Sequence, residues 1–301
     1  MAIKSKTENR DTFAFFAFAA PWIIGFLFFT VLPMLISLVI SFTKWDILSP
    51  PEWIGFGNYK EMFTDSLFWK SMQVTFTYAI FSVPLNVILS TFAALLLNNK
   101  IRGMNFYRTI FYMPAVVSGV VVAIVWLWMF NPEFGVINNI LSSFGIKGPK
   151  WIYDEHWAMP SIIIMSLWNV GGSIILYLAA LQNVPTELYE AAQIDGAGWW
   201  SQFFNITLPG ISPVLLFTIL TGIIGALQTF TPAFIMTNGG PNNATTFYAF
   251  YIYNNAFKWH KMGSASAQAW ILFILVFVIS LVSIRVVGKY TYYEAKEGNL
   301  L

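Results

Sequence analysis

Long stretches without a charged residue alternate with short charged segments along this chain. Six uncharged runs exceed 20 residues, namely 12–43, 71–99, 109–132, 157–186, 196–257 and 262–284. Each can hold a helical span, because about 20 apolar residues cross the hydrocarbon core of a bilayer. The fifth run is interrupted by Pro209 and by Asn238-Gly239-Gly240-Pro241, residue types that break regular structure. The pattern predicts six transmembrane helices, roughly over 12–43, 71–97, 109–130, 158–181, 211–236 and 264–286.

The overall composition agrees with a chain that is surrounded by lipid. Hydrophobic residues make up 57% of the chain and charged residues 10%, against roughly 25% charged residues in a soluble domain. The first apolar run is far longer than the core of a secretory signal, so we interpret it as an uncleaved span. We therefore expect one all-α integral membrane domain over residues 1–301.

The distribution of basic residues predicts the orientation of the six spans. Cytoplasmic loops carry an excess of Lys and Arg. The N-terminus, the loops after the second and fourth spans, and the C-terminus together hold nine of these residues: Lys4, Lys6, Arg10, Lys100, Arg102, Arg108, Arg285, Lys289 and Lys296. The three opposite loops hold the other seven. This bias favours a cytoplasmic location for both termini.

Several kinds of chemistry are excluded or disfavoured by the sequence. Cysteine is absent, and there is no P-loop, zinc-binding His-Glu-x-x-His or Gly-x-Ser-x-Gly motif. No basic stripe indicates nucleic-acid binding. We therefore predict no catalytic residues and no metal site. The predicted spans also lack internal ionisable residues, the usual proton relays of proton-coupled carriers, so any transport must draw its energy from elsewhere.

A charged amphipathic segment lies between the fourth and fifth predicted spans. Thr186 is expected to cap a helix over 187–195, with acidic residues in its first turns and Asp195-Gly196 at its end. Five apolar side chains would form its buried face: Leu188, Tyr189, Ala191, Ala192 and Ile194. A second short helix carries Trp199 and Trp200, and Leu208-Pro209 returns the chain to the membrane. By itself this pattern is also typical of a helix that lies on lipid headgroups.

Polar residues recur at helical spacing in the two spans that flank this segment. Span four carries Ser166, Asn169, Ser173 and Tyr177, and span five carries Thr218, Thr221, Gly225, Gln228 and Thr229. Each set lies on one helix face and is a candidate lining for a substrate pathway, with Asn169, Gln228 and Thr229 the best candidates for sugar contact. Ordinary helix packing explains the same spacing. In span two, Asn86 and Ser90 are interpreted as interhelical hydrogen-bonding residues.

Motifs along most of the chain resemble a known family. Glu190-Ala191-Ala192, followed by Gly196 and then by Ile206-x-Leu208-Pro209, resembles the cytoplasmic EAA signature of ABC-importer membrane subunits. Three further segments resemble the maltose-type carbohydrate-uptake permeases: Ile54 to Tyr59, Tyr107 to Pro114, and Trp126 to Asn138. Thr237 to Pro241 with Thr245-Thr246 is similar to the outer loop of their F-type subunit.

The resemblance implies a fold, partners and site residues. The fold would be that of a type I ABC importer permease, with a cytoplasmic coupling helix in an EAA loop over 185–209. The residues implied in ATPase coupling are Glu187, Glu190, Ala191, Ala192, Asp195, Gly196, Leu208 and Pro209. The span-five sugar face of the family corresponds to Gly225, Ala226 and Thr229. Implied partners are a G-type permease subunit, two ATPase subunits and an extracytoplasmic sugar-binding protein, all at a bacterial inner membrane. ATP and Mg would bind to the ATPase, and this chain would hold no cofactor.

Two functions from different classes follow from these observations. The leading hypothesis is a transport subunit without catalytic activity of its own, belonging to an ATP-driven importer of a di- or oligosaccharide. The alternative is a membrane channel or scaffold whose 187–205 helix only lies on the lipid surface.

Overall fold

The computed structural model describes the backbone of residues 2–99 and 101–287, and the side chains of 14–99 and 101–286. Lys100, Lys289, Lys296 and both chain termini, on which the predicted orientation partly rests, lie outside the described residues. Contacts divide the chain into two compact units, and each is described by itself. The first unit comprises residues 1–64 and 252–271, and the second comprises 65–251 and 272–301.

Helices carry most of the described chain. Four are long and apolar enough to cross a membrane: Ala14–Ile40, Ser66–Leu97, Trp199–Leu227 and Met262–Val286. Two bent helix pairs, Met104–Val116 with Gly119–Met129 and Glu155–Asn169 with Gly171–Gln182, raise the number to six if each pair is one span. The all-α membrane fold expected from the uncharged runs is therefore confirmed.

The first unit joins the N-terminal span to a small capping structure. Its elements are α1 (Ala2–Phe26), a π turn (Leu27–Val31), α2 (Leu32–Ile40), β1 (Thr43–Lys44), β2 (Glu52–Trp53), α3 (Gly57–Thr64), a second π turn (Asn254–Lys258) and residues 262–271 of the final helix (Met262–Val287). The two short strands are antiparallel, with Thr43 opposite Trp53 and Lys44 opposite Glu52.

One buried amide holds this capping structure together. The side-chain nitrogen of Asn58 donates to the carbonyl oxygens of Ser41 and Thr43, both at 2.8 Å. Gly263 lies against the same carbonyl of Thr43, so closely that a Cβ on Gly263 would come within 1.9 Å of the oxygen. Ser41 and Thr43 follow the end of helix α2, and the amide of Asn58 supplies hydrogen bonds to their carbonyl groups. This is the role of an asparagine at position 58.

Replacing Asn58 with Leu should destabilise the protein, because two buried carbonyl oxygens lose their donors at a cost of about 1–3 kcal/mol each. Thermal unfolding of the purified protein in detergent measures the effect. Asn99→Ala is the matched control, since the Asn99 amide also donates to a carbonyl, that of Leu96, but in an exposed position. Equal melting temperatures for the two variants would contradict this role of Asn58.

The second unit contains the remaining helices. In chain order they are α4 (Ser66–Leu97), α5 (Met104–Val116), α6 (Gly119–Met129), α7 (Val136–Ser143), α8 (Glu155–Ser166), α9 (Gly171–Gln182), α10 (Thr186–Ile194), α11 (Trp199–Gln202), α12 (Leu208–Leu227) and α13 (Tyr248–Tyr253); the final helix is α14. Short 3-10 segments cover Trp151–Tyr153 and Leu167–Asn169, and π turns cover Phe203–Thr207 and Ala233–Thr237.

Helix α4 is the centre of this unit, packing against both α9 and α12. Asp65 caps its N-terminus by accepting from the Leu67 N–H at 2.8 Å. At the other end, the guanidinium of Arg108 donates to the carbonyl of Leu97, where a cation also stabilises the helix dipole. Thr75 accepts from the Tyr248 N–H at 2.8 Å, which attaches α13 to the same helix.

The segment Thr237 to Thr246 closes on itself. Asn238 and Gly239 both have positive φ angles, 51° and 84°. The Thr246 hydroxyl donates to the Gly239 carbonyl, and the Thr245 hydroxyl lies 2.8 Å from the Gly240 carbonyl. A Cβ at Gly239 would lie 2.6 Å from the Thr246 oxygen. Glycine is therefore required here by both backbone angle and space.

Three predicted spans differ from the observed helices. The span over 109–130 is two helices, α5 and α6, bent by 99°, and the span over 158–181 is bent by 47° between α8 and α9. The fifth helix ends at Leu227 rather than near 236. It also starts before Pro209, because a proline in the first turn lacks only an N–H that has no helical partner. The expectation that Leu208-Pro209 turns the chain back was therefore wrong.

Candidate functional site

A polar cavity of about 430 Å³ lies inside the second unit. Its polar lining comes from α4, α8, α9, α12 and the segments that follow α8 and α12: Tyr78, Ser82, Asn86, Ser166, Asn169, Ser173, Thr218, Thr221, Thr229 and Thr231. Apolar side chains and glycines complete the wall: Val83, Val87, Val117, Gly119, Val122, Met165, Gly222, Gly225, Ala226 and Pro232. None of these lining residues carries a charge.

The cavity lies where three helices are interrupted. Val117 and Gly119 flank the break between α5 and α6, Asn169 and Ser173 flank the break between α8 and α9, and Pro232 follows the end of α12. Non-helical backbone inside a membrane protein is tolerated where it is buried in protein or lines a wet cavity. Interrupted helices are also where many transporters bind their substrates.

Four of the eight hydroxyl groups around the cavity, including that of Thr218, donate their hydrogen to a carbonyl oxygen about one turn earlier in the chain. Ser166 donates to the Ile163 carbonyl at 2.7 Å, Thr221 to Phe217 at 2.9 Å and Thr229 to Gly225 at 3.2 Å. Their oxygens are left as hydrogen-bond acceptors. The Asn86 amide donates to the Ser82 carbonyl and, at 3.5 Å, to the Ser166 hydroxyl. Asn169 and Ser173 have no side-chain hydrogen bond within the described residues, so both are available to a ligand.

Seven of the nine predicted pathway residues line this one cavity: Ser166, Asn169, Ser173, Thr221, Gly225, Ala226 and Thr229. Tyr177 and Gln228 do not. Tyr177 is fully buried and hydrogen-bonds to Thr218 at 2.5 Å. Gln228 is exposed and caps the end of α12. These two side chains therefore do not line this cavity, and contact between sugar and any of the nine residues stays a prediction.

The sequence pattern missed part of the lining. Tyr78 and Ser82 on α4, and Thr231 beyond α12, were not singled out. Asn86 was interpreted as an interhelical hydrogen-bonding residue, and it does donate to Ser166 on α8, whereas Ser90 makes no side-chain hydrogen bond within the described residues. The Tyr78 hydroxyl lies close to Ser82 on its own helix, to Ser166 at the end of α8 and to Thr229 beyond α12. The interruptions at Ser118-Gly119, Gly171-Gly172 and Thr231-Pro232 were the available signal, since such residues within apolar runs mark broken helices.

The predicted helix between spans four and five is present as α10. Gly196 follows it with a φ of 77°. The Ala197 N–H donates to the Ala192 carbonyl at 2.8 Å and the Gly196 N–H to Gln193 at 3.1 Å. This is a Schellman ending, which requires a residue in the left-handed region. The start differs from expectation: Thr186 is the first helical residue and makes no capping bond, because Pro185 holds the cap position.

Most of helix α10 is exposed. It has no fully buried residue. Leu188, Ala191 and Ile194 are exposed, with Ile194 at 87%, so the expected buried face is reduced to the half-buried Tyr189 and Ala192. The other predicted coupling residues divide by exposure: Glu187, Glu190, Asp195 and Gly196 are exposed, whereas Leu208 and Pro209 are half-buried.

Helix α10 is hydrogen-bonded to the turn that leads into α12, and a groove lies between the two segments. The Tyr189 hydroxyl lies 3.0 Å from the Thr207 hydroxyl. A groove of about 640 Å³ runs beside this contact. Its walls include Asn183, Glu187, Leu188 and Asn205.

Residues 86–290 match the family model of the binding-protein-dependent transport system inner membrane component. That range contains most of the cavity and all of α10. The chain belongs to this family. It is therefore a permease, the membrane component of a transport system, and a transport subunit rather than an enzyme.

Relatives and a solved structure agree with this family. The permease is 42% identical over 299 residues to the probable ABC transporter permease protein YesP of Bacillus subtilis, covering 98% of this chain and 96% of that one. It is 37% identical to the lactose transport system permease protein LacF of Rhizobium radiobacter, covering 88% and 90%. A crystal structure of a bacterial alginate ABC transporter, in complex with an alginate pentasaccharide-bound periplasmic protein, superimposes with a TM-score of 0.81 at 25% identity, covering 93% and 95%.

Two adjacent glycines at the break before α9 give a matched test of the cavity geometry. A Cβ at Gly171 would lie 2.6 Å from the Phe111 carbonyl oxygen, whereas nothing lies within 4 Å of a Cβ at Gly172. Gly171→Ala should push α9 away from α5 and destabilise the permease by about 1–3 kcal/mol. Gly172→Ala should be close to neutral. Thermal unfolding in detergent compares them, and a harmless Gly171→Ala would refute the close approach.

Proposed function

We propose that this permease translocates a sugar, a di- or oligosaccharide, as one subunit of an ATP-driven importer. The observation that carries the proposal is the neutral polar cavity at the three helix breaks. Its volume of about 430 Å³ lies in the range of roughly 300–1,000 Å³ for ligand pockets.

The chemistry of the lining suits a sugar better than an ion. The oxygens of Ser166, Thr221 and Thr229 accept hydrogen bonds, while the free Asn169 amide both donates and accepts. Sugar hydroxyl groups donate and accept in the same way. A charged substrate without a paired countercharge would lose hydration without compensation, which is costly at low dielectric. The relatives support a saccharide: one is named for lactose transport, and the matching alginate transporter was solved with a pentasaccharide-bound periplasmic protein.

Exposure of α10 supports an ATPase partner. An amphipathic helix with no fully buried residue presents Glu187 and Glu190 on the outside of the unit. We infer that it docks in a cleft of an ATPase subunit, that two ATPase subunits serve this chain and a G-type permease subunit, and that ATP and Mg bind to the ATPase. An extracytoplasmic binding protein would deliver the sugar.

The same arrangement supports an orientation. In a six-span chain, the loop after the fourth span lies on the same side as both termini. If α10 meets a cytoplasmic ATPase, both termini of the chain are cytoplasmic at the bacterial inner membrane. The excess of Lys and Arg in the corresponding segments agrees with this side.

The cavity generates the first functional prediction. Asn169→Leu should lower sugar uptake, because a lost hydrogen bond to ligand costs about 1–3 kcal/mol, while leaving complex assembly and basal ATP hydrolysis near wild type. Gln228→Leu is the matched control, since it makes the same change outside the cavity. Uptake of radiolabelled lactose by reconstituted complexes is the measurement. An unchanged rate for Asn169→Leu would indicate that the polar residues of the lining serve helix packing and not sugar binding.

The exposed side chain of Glu190 on α10 gives the second functional prediction. Glu190→Ala should weaken ATPase association or uncouple hydrolysis from uptake, because a shielded charge-assisted contact contributes roughly 1.5–3 kcal/mol. Glu133→Ala removes an exposed acid elsewhere and should behave as wild type. ATPase co-purification and sugar-stimulated hydrolysis report the outcome. Normal values for Glu190→Ala would favour the alternative, a channel or scaffold whose helix lies on lipid.

Gly196 allows the loop geometry to be tested separately from its charge. Nothing lies near a Cβ at this position, so a substitution is opposed by the backbone angle alone. Gly196→Val should impair coupling, whereas Gly196→Asn should retain much of it because Asn tolerates the left-handed region. The same hydrolysis and uptake assay applies, and equal coupling in the two variants would show that the Schellman turn is not required.

A further inference from the structure

Two tyrosine–threonine hydrogen bonds lie on the hairpin formed by α9, α10, α11 and α12. We propose that the pairs Tyr177–Thr218 and Tyr189–Thr207 are positioning residues that clamp α9, α10 and α12 into one body, the first by joining α9 to α12 and the second by joining α10 to the turn that leads into α12. A displacement of α10 would then reach the cavity without being absorbed by sliding between these helices. The functional consequence rests on the proposed coupling role of α10, whereas the clamp itself does not.

The first pair adjoins the cavity. Tyr177 is fully buried, and its hydroxyl lies 2.5 Å from that of Thr218. The Thr218 hydroxyl is also 3.0 Å from the Val214 and Leu215 carbonyls, to which it donates its single hydrogen. Tyr177 is therefore the donor in the pair. Thr218 lines the cavity, and so does Ser173, which lies one turn before Tyr177 on α9.

The second pair lies at the opposite end of the hairpin. Tyr189 belongs to α10, and its hydroxyl is 3.0 Å from that of Thr207, a buried residue in the π turn that leads into α12. Helix α10 has no fully buried residue. The Tyr189–Thr207 hydrogen bond therefore holds in place a helix that is otherwise mostly exposed.

An apolar core fills the space between the two pairs. It consists of Ile174, Leu181, Val184 and Ile211, with Ala94 and Leu97 from α4. Helix α12 begins directly against the end of α9, since a Cβ at Gly210 would lie 2.8 Å from a methyl group of Val184. Apolar contacts are non-directional and permit small sliding movements. The Tyr177–Thr218 hydrogen bond fixes the register of α9 against α12, and the Tyr189–Thr207 hydrogen bond fixes α10 on the turn that leads into α12.

In this arrangement, the clamped helices can still move relative to α8 at the N-terminal end of α9. Residues Leu167–Asn169 form a 3-10 turn, and α8 and α9 meet at a bend of 47°. Asn169 lies before the bend and Ser173 after it, and both line the cavity. Rotation of the clamped body about Val170 would therefore change the distance between these two polar groups.

Spin-label distances test the clamp in the permease assembled with its partner subunits. Because this chain has no cysteine, labels attach to it only at introduced sites. Leu176 on α9 and Phe217 on α12 are exposed, and a Leu176→Cys/Phe217→Cys pair measures the distance between the clamped helices. An Ile164→Cys/Leu176→Cys pair measures the bend between α8 and α9.

In the otherwise unmodified complex, the first distance should stay unchanged on addition of ATP, while the second should shift. In the Tyr177→Phe/Tyr189→Phe background, the first distribution should broaden and the shift at the bend should be lost. Tyr153→Phe, which removes the hydroxyl of a half-exposed tyrosine, is the control. A first distance that changes with ATP, or one that is insensitive to loss of both hydroxyls, would overturn the clamp.

Failure of the proposed function gives a different result. If no ATPase assembles with the permease, ATP shifts neither distance, yet the first distribution measured on the permease alone still broadens when the two hydroxyls are removed. A narrow distribution in that background would contradict the clamp independently of transport. A lower melting temperature with unchanged distances would assign the pairs to stability alone and also overturn the proposal.

Discussion

A polar group inside a bilayer has no water to bond, so every one must find its partner within the protein or line a wet space. The long helices meet this requirement largely by themselves. Thr75 donates to the Ser71 carbonyl, Thr91 to Val87 and Ser161 to Trp157, each one turn earlier. Where a helix ends, its polar groups lose their hydrogen-bond partners within the helix. The breaks between α5 and α6 and between α8 and α9 are for that reason the positions where the chain surrounds a polar cavity.

The same constraint connects the cavity to the exposed helix α10. Helices α9 and α12 both line the cavity and continue to the loop that carries α10. The contact between α9 and α12 is largely apolar and is hydrogen-bonded through Tyr177, while Tyr189 bonds α10 to the turn that leads into α12. A partner that moves α10 would thereby move α9 and α12, and these helices also form walls of the candidate sugar site. The permease needs no catalytic group of its own for this.

Hydrophobic pattern and local chemistry were sufficient for some features and insufficient for others. The uncharged runs predicted the four long apolar helices and the two bent apolar pairs, and Asp195-Gly196 predicted the end of α10, because both depend on local composition or on one backbone angle. Helix breaks depend on packing between segments, so the bends after Val116 and Asn169 were not visible as changes in hydropathy. Counting residues along a helix face assumes a straight helix. The end of α12 at Leu227 explains why Gln228 lies outside the cavity, whereas Tyr177, one turn beyond Ser173 on α9, is bound to Thr218.

The central claim is that this permease moves a sugar inward with energy from ATP hydrolysed by a partner. The most direct measurement is uptake of a radiolabelled disaccharide, lactose first, into sealed vesicles that contain the assembled complex and its binding protein. With ATP present at the cytoplasmic face and the proton gradient collapsed by a protonophore, uptake should continue, because the predicted spans hold no internal ionisable relay. A non-hydrolysable ATP analogue should stop it. Uptake without ATP hydrolysis, or its loss when the proton gradient collapses at constant ATP, would contradict the account.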